Sequence, residues 1–214
     1  MSATPTGNDA FAPQAFFATA TRRLHARPPD AAGPAGGDHV MNPELAADGA
    51  TYRDAAVLIP VVAREAAATV ILTERTTHLS AHAGQIAFPG GKIDAGDEGP
   101  AAAALRESEE EIGLDRGMAT IVGYLDPYLS RTGYRIVPVL ARIAPDYRLA
   151  VNRDEVADVF EVPLAFLLDP ANHRRASRTF MGRERYFYEI AFQQRYIWGV
   201  TAGIIRALYE QVIA

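Results

Sequence analysis

The segment 90–114 constrains this chain more than any other. It opens with Gly90 and Gly91, enters an alanine-rich run after Pro100 and stops at Gly113. Proline is favoured at the first position of a helix, and glycine is favoured just past the last one. The sequence therefore predicts a glycine-rich loop followed by a single helix that starts at Pro100 and ends before Gly113.

The second half of this helix carries a group of acidic residues. Positions three and four apart share a helix face, so Glu107, Glu110 and Glu111 should converge while Glu109 points elsewhere. Like charges at this spacing repel each other and favour a bound cation. Carboxylate oxygens suit Mg²⁺ or Mn²⁺, and an incomplete protein shell leaves room for water and phosphate oxygens. The pattern predicts a divalent-metal site for cutting a phosphoanhydride, although a solvated acidic surface is the alternative for any isolated run of this kind.

Arginine and glycine residues flank the acids in positions that suit such a site. Arg106 lies four residues before Glu110 and eight after Glu98, so it can orient one of these carboxylates through a bidentate pair. Gly90 and Gly91 allow the backbone to come close to a metal or a phosphate, because no side chain intervenes.

The spacing of these residues resembles the Nudix box. The box reads glycine, spacer, glutamate, seven residues, Arg-Glu, two residues, Glu-Glu, one residue, glycine and an aliphatic residue, and the matching positions are Gly91, Glu98, Arg106, Glu107, Glu110, Glu111, Gly113 and Leu114. The spacer between Gly91 and Glu98 is one residue longer than in the commonest form, and Ser108 stands where an aliphatic residue is usual. The resemblance implies an α/β protein with the Nudix α/β/α sandwich, in which a mixed sheet lies between helices, and a metal-dependent pyrophosphohydrolase.

A second segment resembles the coenzyme A pyrophosphatase branch of this family, of which the longer spacer is also a feature. It runs from Leu72-Thr73-Glu74-Arg75 through Gly84 to Phe88-Pro89-Gly90-Gly91. Thr76 stands where serine or alanine is typical, and Ser80 stands where that branch usually has an arginine. The resemblance implies cleavage of coenzyme A or its derivatives to 3′,5′-ADP and 4′-phosphopantetheine.

Two other functions stay open at this point. The missing arginine at Ser80 leaves room for a Nudix pyrophosphatase that acts on another nucleoside diphosphate derivative, such as ADP-ribose or NADH. A binding module that keeps the fold without catalysis is the third possibility, and it is disfavoured because every acid of the cluster is present.

The expected site residues fall into three groups. The metal, Mg²⁺ or Mn²⁺, is expected on Glu107, Glu110 and Glu111 with the backbone of Gly90. The expected catalytic residues are Glu110 as general base, Arg106 and Glu98. The residues expected to bind substrate are Arg75, His82 and Gly91.

Five further side chains have both a structural and a functional interpretation. Glu155 provides either another acid for the metal centre or a structural ion pair. Arg131 and Arg135 either meet phosphate or adenine or lie solvated on the surface. Trp198 and Tyr196 are expected in the core rather than as platforms for the substrate, because aromatic side chains usually bury their large surfaces structurally.

Charge and cysteine content limit the binding partners and the kinds of metal site that this chain can have. The formal charge of −5 argues against nucleic-acid binding, which generally needs a basic field. The chain has no cysteine, which excludes thiolate metal sites and is compatible with a reducing cytoplasm. No apolar run reaches the length of a bilayer, and the N-terminus has no basic segment followed by a long apolar one. We expect a cytoplasmic enzyme with a small nucleotide substrate, while no motif indicates the oligomeric state.

The chain is expected to divide into an N-terminal extension, residues 1–50, and a Nudix hydrolase domain, residues 51–214. A short helix near residues 13–25 either docks on the domain through its phenylalanines or frays. Apolar and alternating patterns predict strands at 55–63, 69–73, 86–88, 121–125, 134–143, 156–162 and 185–192, and a closing helix at 199–212.

Overall fold

A mixed sheet of nine strands lies at the centre of the protein in a computed structural model that describes residues 11–30, 33–43, 51–77, 84–180 and 182–214. Its strands are β1 (Gly36–Gly37), β2 (Arg53–Ala63), β3 (Ala68–Arg75), β4 (Ile86–Ala87), β5 (Gly90–Lys92), β6 (Ala119–Tyr124), β7 (Tyr128–Leu129), β8 (Tyr134–Ile143) and β9 (Val156–Pro163). A second, antiparallel sheet contains β10 (Arg174–Phe180), β11 (Arg183–Phe192) and β12 (Arg195–Trp198).

In the described part of the chain, five helices pack around these sheets: α1 (Pro13–Arg23), α2 (Asp38–Met41), α3 (Pro100–Ile112), α4 (Leu164–Leu167) and α5 (Val200–Val212). Short 3₁₀ turns occur at Arg116–Met118 and Pro170–Asn172. Within the described ranges, no helix combines the length and the apolar character that crossing a membrane requires.

The parallel pair of β2 and β8 forms the middle of the large sheet. Its register runs from Arg53 opposite Tyr134 to Val62 opposite Ile143. Strands covered on both faces need apolar residues at successive positions, which explains the continuous apolar runs of both sequences. The antiparallel partners β3 and β5 extend the sheet from β2, and β6 extends it from β8.

Apolar side chains fill the space on both faces of the large sheet. On one face Ala103, Ala104 and Ile112 of α3 pack against Ala56 and Leu58 of β2. On the other face α1, α4 and α5 pack with part of the small sheet around a larger core. The predicted α/β/α sandwich with a mixed sheet between helices is confirmed.

The predicted strands and helices are all present, with ends that shift by a few residues. The helix expected near residues 13–25 is α1, and it docks rather than frays, since Phe16, Phe17 and Ala20 are buried in the core shared with α5. The division of the chain after residue 50 stays a prediction. Sequence patterns missed β10, because its sequence RRASRTF has no apolar alternation and its residues are mostly exposed.

Candidate active site

Glycines place α3 beside the strand β5. Gly90 and Gly91 lie in β5, where they pair with Val57 and Ala56 of β2. A Cβ atom on Gly91 would lie 2.4 Å from the carboxyl carbon of Glu107, so only glycine leaves room for that side chain. At the other end of α3, Gly113 adopts the left-handed conformation (φ 65°) that was expected of a residue just past the helix.

Glu111 is the most deeply buried acid of α3. Its residue is 4% exposed. One carboxylate oxygen accepts a hydrogen bond from the backbone N–H of Gly90 at 3.2 Å, and the other pairs with Nη1 of Arg75 at 3.3 Å. Burial raises the pKa of Glu111 to about 7, because the charged form loses its hydration and the two donors compensate only in part.

Glu107 lies next to Glu111 on the inward side of the helix. Its carboxylate pairs with Nη1 of Arg106 at 2.9 Å. Burial raises the pKa of Glu107, and the neighbouring charges of Glu110 and Glu155 act in the same direction. Glu107 and Glu111 therefore form a pair of acids that the protein alone does not fully neutralise.

The remaining acids of the helix lie further from this pair. The side chain of Glu110 is 57% exposed and contacts Nη1 of Arg106 at 3.3 Å. Glu109 points away, as predicted, and pairs with Arg116 at 2.7 Å. Glu110 thus sits at the solvent side of the acid pair.

The bidentate pair of Arg106 forms with Asp97. Nε and Nη2 of Arg106 donate to the two Asp97 oxygens at 3.1 and 3.0 Å, and Nη2 also donates to the Lys92 carbonyl at 3.1 Å. The hydrogen bonds from Arg106 to the Asp97 carboxylate lower the pKa of Asp97. Sequence reasoning missed Asp97, because spacing alone does not distinguish it from the adjacent Glu98. Glu98 is exposed, and its catalytic role stays a prediction.

The donor set fits a hard divalent cation. Glu107 and Glu111 face the same cavity, and Glu155, which accepts a hydrogen bond from Asn152 at 3.4 Å, lies at its wall. Among the residues that the structure describes, no three acidic or histidine side chains stand close enough to enclose an ion. The guanidinium groups of Arg75 and Arg106 instead hold the two acids, and the raised pKa values of these acids indicate that further positive charge would stabilise their ionised forms.

A cavity of about 1200 Å³ extends from this acid pair. Near the acids it is lined by Arg75, Phe88, Gly90 and Gly91. Its wall also carries further arginines and aromatic side chains, which are Arg53, Arg131, Arg178, Arg185, Tyr134, Phe180, Tyr186, Phe187 and Trp198. The acidic helix and the upstream segment with Arg75 thus meet at one wall of the cavity.

The other predicted site residues have different positions. Arg131 lines the cavity, whereas Arg135 donates to the carbonyls of Pro29 and Asp30 at 3.1 and 2.9 Å and has a structural role. His82 and Ser80 lie outside the described residues.

The expectation that Trp198 and Tyr196 belong to the core is wrong. Trp198 is half-buried and lines the cavity, and Tyr196 is 38% exposed. Both lie on β12, which forms one edge of the small sheet. Arg53, Arg178 and Arg185 were missed, since no motif contains them. The concentration of arginines in the strand β10 was the available signal.

The chain is similar to known proteins over most of its length. The sequence model of the NUDIX domain family matches residues 51–181 of this chain. The chain is 40% identical over 173 residues to the uncharacterized Nudix hydrolase NudL of Escherichia coli strain K12, an alignment that covers 81% of this chain and 90% of the relative. NudL of Shigella boydii serotype 4 has the same identity and coverage.

Solved structures with a similar backbone include an Ap4A hydrolase of C. elegans in a binary complex. It is 20% identical, with a TM-score of 0.45, over 51% of this chain and 80% of its own. The NUDIX domain of Shewanella oneidensis NrtR, complexed with ADP ribose, is 20% identical, with a TM-score of 0.42, over 61% of this chain and 84% of its own.

Proposed function

The chain belongs to the Nudix hydrolase family, and we propose that it hydrolyses the pyrophosphate bond of coenzyme A or its derivatives to 3′,5′-ADP and 4′-phosphopantetheine. The observation that carries this proposal is the meeting of two segments at one cavity. Arg75, from the segment that resembles the coenzyme A branch, contacts Glu111 of the acidic helix at 3.3 Å. The cavity of about 1200 Å³ is large enough for an extended nucleotide substrate.

Nudix hydrolases generally need a divalent metal ion, and we propose Mg²⁺ or Mn²⁺ for this chain. Glu107 and Glu111 would hold it, with Glu110 alongside and the backbone of Gly90 adjacent. When bound, the ion neutralises charge on the phosphate oxygens and lowers the pKa of a water molecule. Support comes from Glu107 and Glu111, which both face the cavity. Burial raises the pKa of each acid although Arg106 and Arg75 act in the opposite direction.

The other residues orient the acids and the substrate. Arg106 is fixed by its fork onto Asp97 and contacts both Glu107 and Glu110, so it is placed to set their orientation. Glu110 is the proposed general base, since its exposed carboxylate lies beside the acid pair and can accept a proton from water. Water then attacks one phosphorus, and the other phosphate leaves. Glu98, which is exposed, is a further proposed catalytic acid.

Arg75 and Gly91 are the proposed contacts to the pyrophosphate. Nη1 of Arg75 is shared with Glu111, while its buried Nε has no hydrogen-bond partner within the described residues. A guanidinium with a spare donor suits a phosphate oxygen. Gly91 leaves the approach to Glu107 open, because it has no side chain. His82 stays a further candidate for substrate binding.

Another nucleoside diphosphate derivative is the second candidate substrate. The departure at Ser80 from the coenzyme A pattern favours it, and ADP-ribose or NADH would use the same acids. A binding module without catalysis is disfavoured, because Glu107, Glu110 and Glu111 are all retained on the helix.

Product analysis by mass spectrometry tests the proposal. The full chain is incubated with coenzyme A, ADP-ribose or NADH, each with Mg²⁺, with Mn²⁺ and with a chelator. We expect metal-dependent release of 3′,5′-ADP and 4′-phosphopantetheine from coenzyme A. Cleavage of another dinucleotide alone would remove the coenzyme A assignment and keep the Nudix chemistry. A lack of turnover on all three would favour the binding module.

A further inference from the structure

The cavity carries positive charge besides that of Arg75. Four further arginines line it, and we refer to Arg53, Arg131, Arg178 and Arg185 as the arginine cluster. Arg53 lies three residues before Ala56, the partner of Gly91 in the sheet, which is a distance of about 10 Å at the rise of a strand. The cluster therefore begins about this far from the glycine that faces Glu107.

Aromatic rings fix three of these guanidinium groups. The distance from the guanidinium carbon to the ring centroid is 4.2 Å for Arg53 over Tyr134, 4.3 Å for Arg131 over Phe180 and 5.0 Å for Arg178 over Trp198. A guanidinium that stacks on a ring keeps its N–H groups, which lie in its own plane, available for an acceptor.

The carboxylate of Asp38 does not pair with the side chains of Arg131 or Arg178. Asp38 lines the cavity, but its two oxygens accept hydrogen bonds from the Tyr128 hydroxyl and from the backbone N–H of Arg131. Within the described ranges, the side chains of Arg131 and Arg178 form no ion pair with a carboxylate. A chain with a net charge of −5 thus places exposed cationic side chains on the wall of one cavity.

Two members of the cluster lie side by side on the small sheet. Arg178 of β10 lies directly opposite Arg185 of β11 in the antiparallel pair. Residues directly opposite each other in such a pair have side chains on the same face, with Cβ atoms about 4.5–5.5 Å apart. The register of the small sheet therefore brings two cationic side chains of the cluster together at the cavity wall.

We infer that the arginine cluster binds a phosphate monoester on the ribose of the substrate, separate from the pyrophosphate that is cut. A phosphate monoester carries close to two negative charges at neutral pH and presents three acceptor oxygens, which suits several converging guanidinium groups. The aromatic rings beside the cluster offer faces for a purine base. This inference rests on the proposed function only in placing both phosphate groups on one substrate molecule.

Calorimetric titration with three nucleotides tests this inference without any turnover. The full chain is titrated with 3′,5′-ADP, 2′,5′-ADP and 5′-AMP, which share adenosine and a 5′-phosphate and differ in the second phosphate. We expect 3′,5′-ADP to bind about tenfold more tightly than 5′-AMP, since the cluster adds charge-assisted hydrogen bonds. Tighter binding of 2′,5′-ADP than of 3′,5′-ADP would support the same site and assign the phosphate to the 2′ position.

Variants of the arginine cluster test which residues cause the preference for 3′,5′-ADP over 5′-AMP. Arg131→Gln and Arg178→Gln should each remove most of the difference between 3′,5′-ADP and 5′-AMP. Arg175→Gln is the matched control, because Arg175 lies on the same strand and stacks on Tyr186 at 4.5 Å but does not line the cavity. Thermal unfolding of each variant checks that it is folded.

Equal affinity of the unaltered chain for all three nucleotides would overturn the inference, and so would a preference that persists in both cluster variants. Hydrolysis assays separate this result from the proposed function. Cleavage of coenzyme A without any preference among the three nucleotides would retain the enzyme and remove the phosphate site. A clear preference without cleavage of any substrate would retain the site and remove the proposed reaction.

Discussion

At the scale of single residues, the acids of α3 differ in what surrounds them. Glu107 and Glu111 are turned inward and have raised pKa values, while Glu109 is paired with Arg116 at the surface. Identical side chains within five positions of one helix thus have different expected functions. The difference follows from helix geometry, because only one face of α3 meets the cavity.

Replacing Glu107 by glutamine tests the role of the inward pair. We expect Glu107→Gln to lose at least about 100-fold in turnover, because Glu107 is a proposed metal ligand and losing a ligand should cost more than losing a residue that supports one. Stability should fall only modestly, since the change also relieves repulsion among neighbouring acids. Glu109→Gln is the matched control and should keep its activity. Turnover by Glu107→Gln at saturating Mg²⁺ that equals the unaltered chain would contradict the assignment.

The two glycines of β5 should respond differently to alanine. In Gly91→Ala the new Cβ would displace the Glu107 carboxylate, which is the end of a flexible side chain. We expect a loss of turnover of about 100-fold with little change in unfolding temperature, because small misplacements of site groups are costly. In Gly90→Ala the Cβ would lie 2.4 Å from the Ala56 carbonyl oxygen, so this variant should lose stability as well. Thermal unfolding and turnover of both variants distinguish these outcomes, and equal unfolding temperatures would refute the difference.

At the scale of elements, sequence patterns predicted the long ones that bury an apolar face and missed the short elements α4 and β12. Strands β2 and β8 have continuous apolar runs, and α5 has a wide apolar stripe. The strand β10 depends instead on its pairing with β11, which a single segment does not reveal. Such pairing is a property of two segments, so patterns within one segment could not predict it.

A histidine that contacts both α4 and α5 should make stability depend on pH. Nε2 of His173 is bonded to the Leu167 carbonyl at the end of α4, and its ring packs edge-on against Tyr209 of α5. Burial lowers the pKa of His173, so the folded protein favours the neutral ring. The unfolded chain then binds more protons below its pKa of about 6.5, and this stabilisation is present above pH 6.5 and is lost as the pH falls through the folded pKa.

Urea unfolding between pH 5 and pH 8 measures this effect. The unaltered chain should lose stability below pH 6.5 more steeply than His173→Gln does. The variant should also be less stable at pH 7.5 by about 1 kcal/mol, because the hydrogen bond to Leu167 is altered. Parallel pH profiles for the two proteins would show that His173 does not carry the dependence.

At the scale of the whole molecule, the N-terminal segment shares the core of the rest of the chain. Phe16 of α1 is fully buried in the same cluster as Ile205 and Leu208 of α5. The strand β1 pairs with β7, and Asn42, which directly follows α2, is hydrogen-bonded to the backbone of Tyr186 in the small sheet. These contacts place residues before position 51 against both sheets.

Truncation to residues 51–214 should therefore lower the unfolding temperature. Truncation should cost at least as much unfolding free energy as the single change Phe16→Ala. For that change we expect a loss of about 3–5 kcal/mol, because it leaves a cavity in the core. Val40→Ala, at a residue that is 65% exposed, is the matched control and should have little effect. Equal unfolding temperatures for the truncated and full chains would show that the N-terminal segment adds no stability.

The sequence by itself determined the reaction chemistry and the layered fold. The acids, Arg106 and the glycines lie within one stretch, 90–114, where helix periodicity alone predicts which side chains converge. The tertiary structure alone decided with which acid Arg106 forms its bidentate pair, how deeply Glu111 is buried and how the arginine cluster forms. That cluster draws Arg53, Arg131, Arg178 and Arg185 from separate parts of the chain. The physical reason is the sequence range over which each effect acts. Periodicity acts within one helix or strand, whereas burial, strand pairing and charge clustering depend on contacts between elements that are distant in sequence.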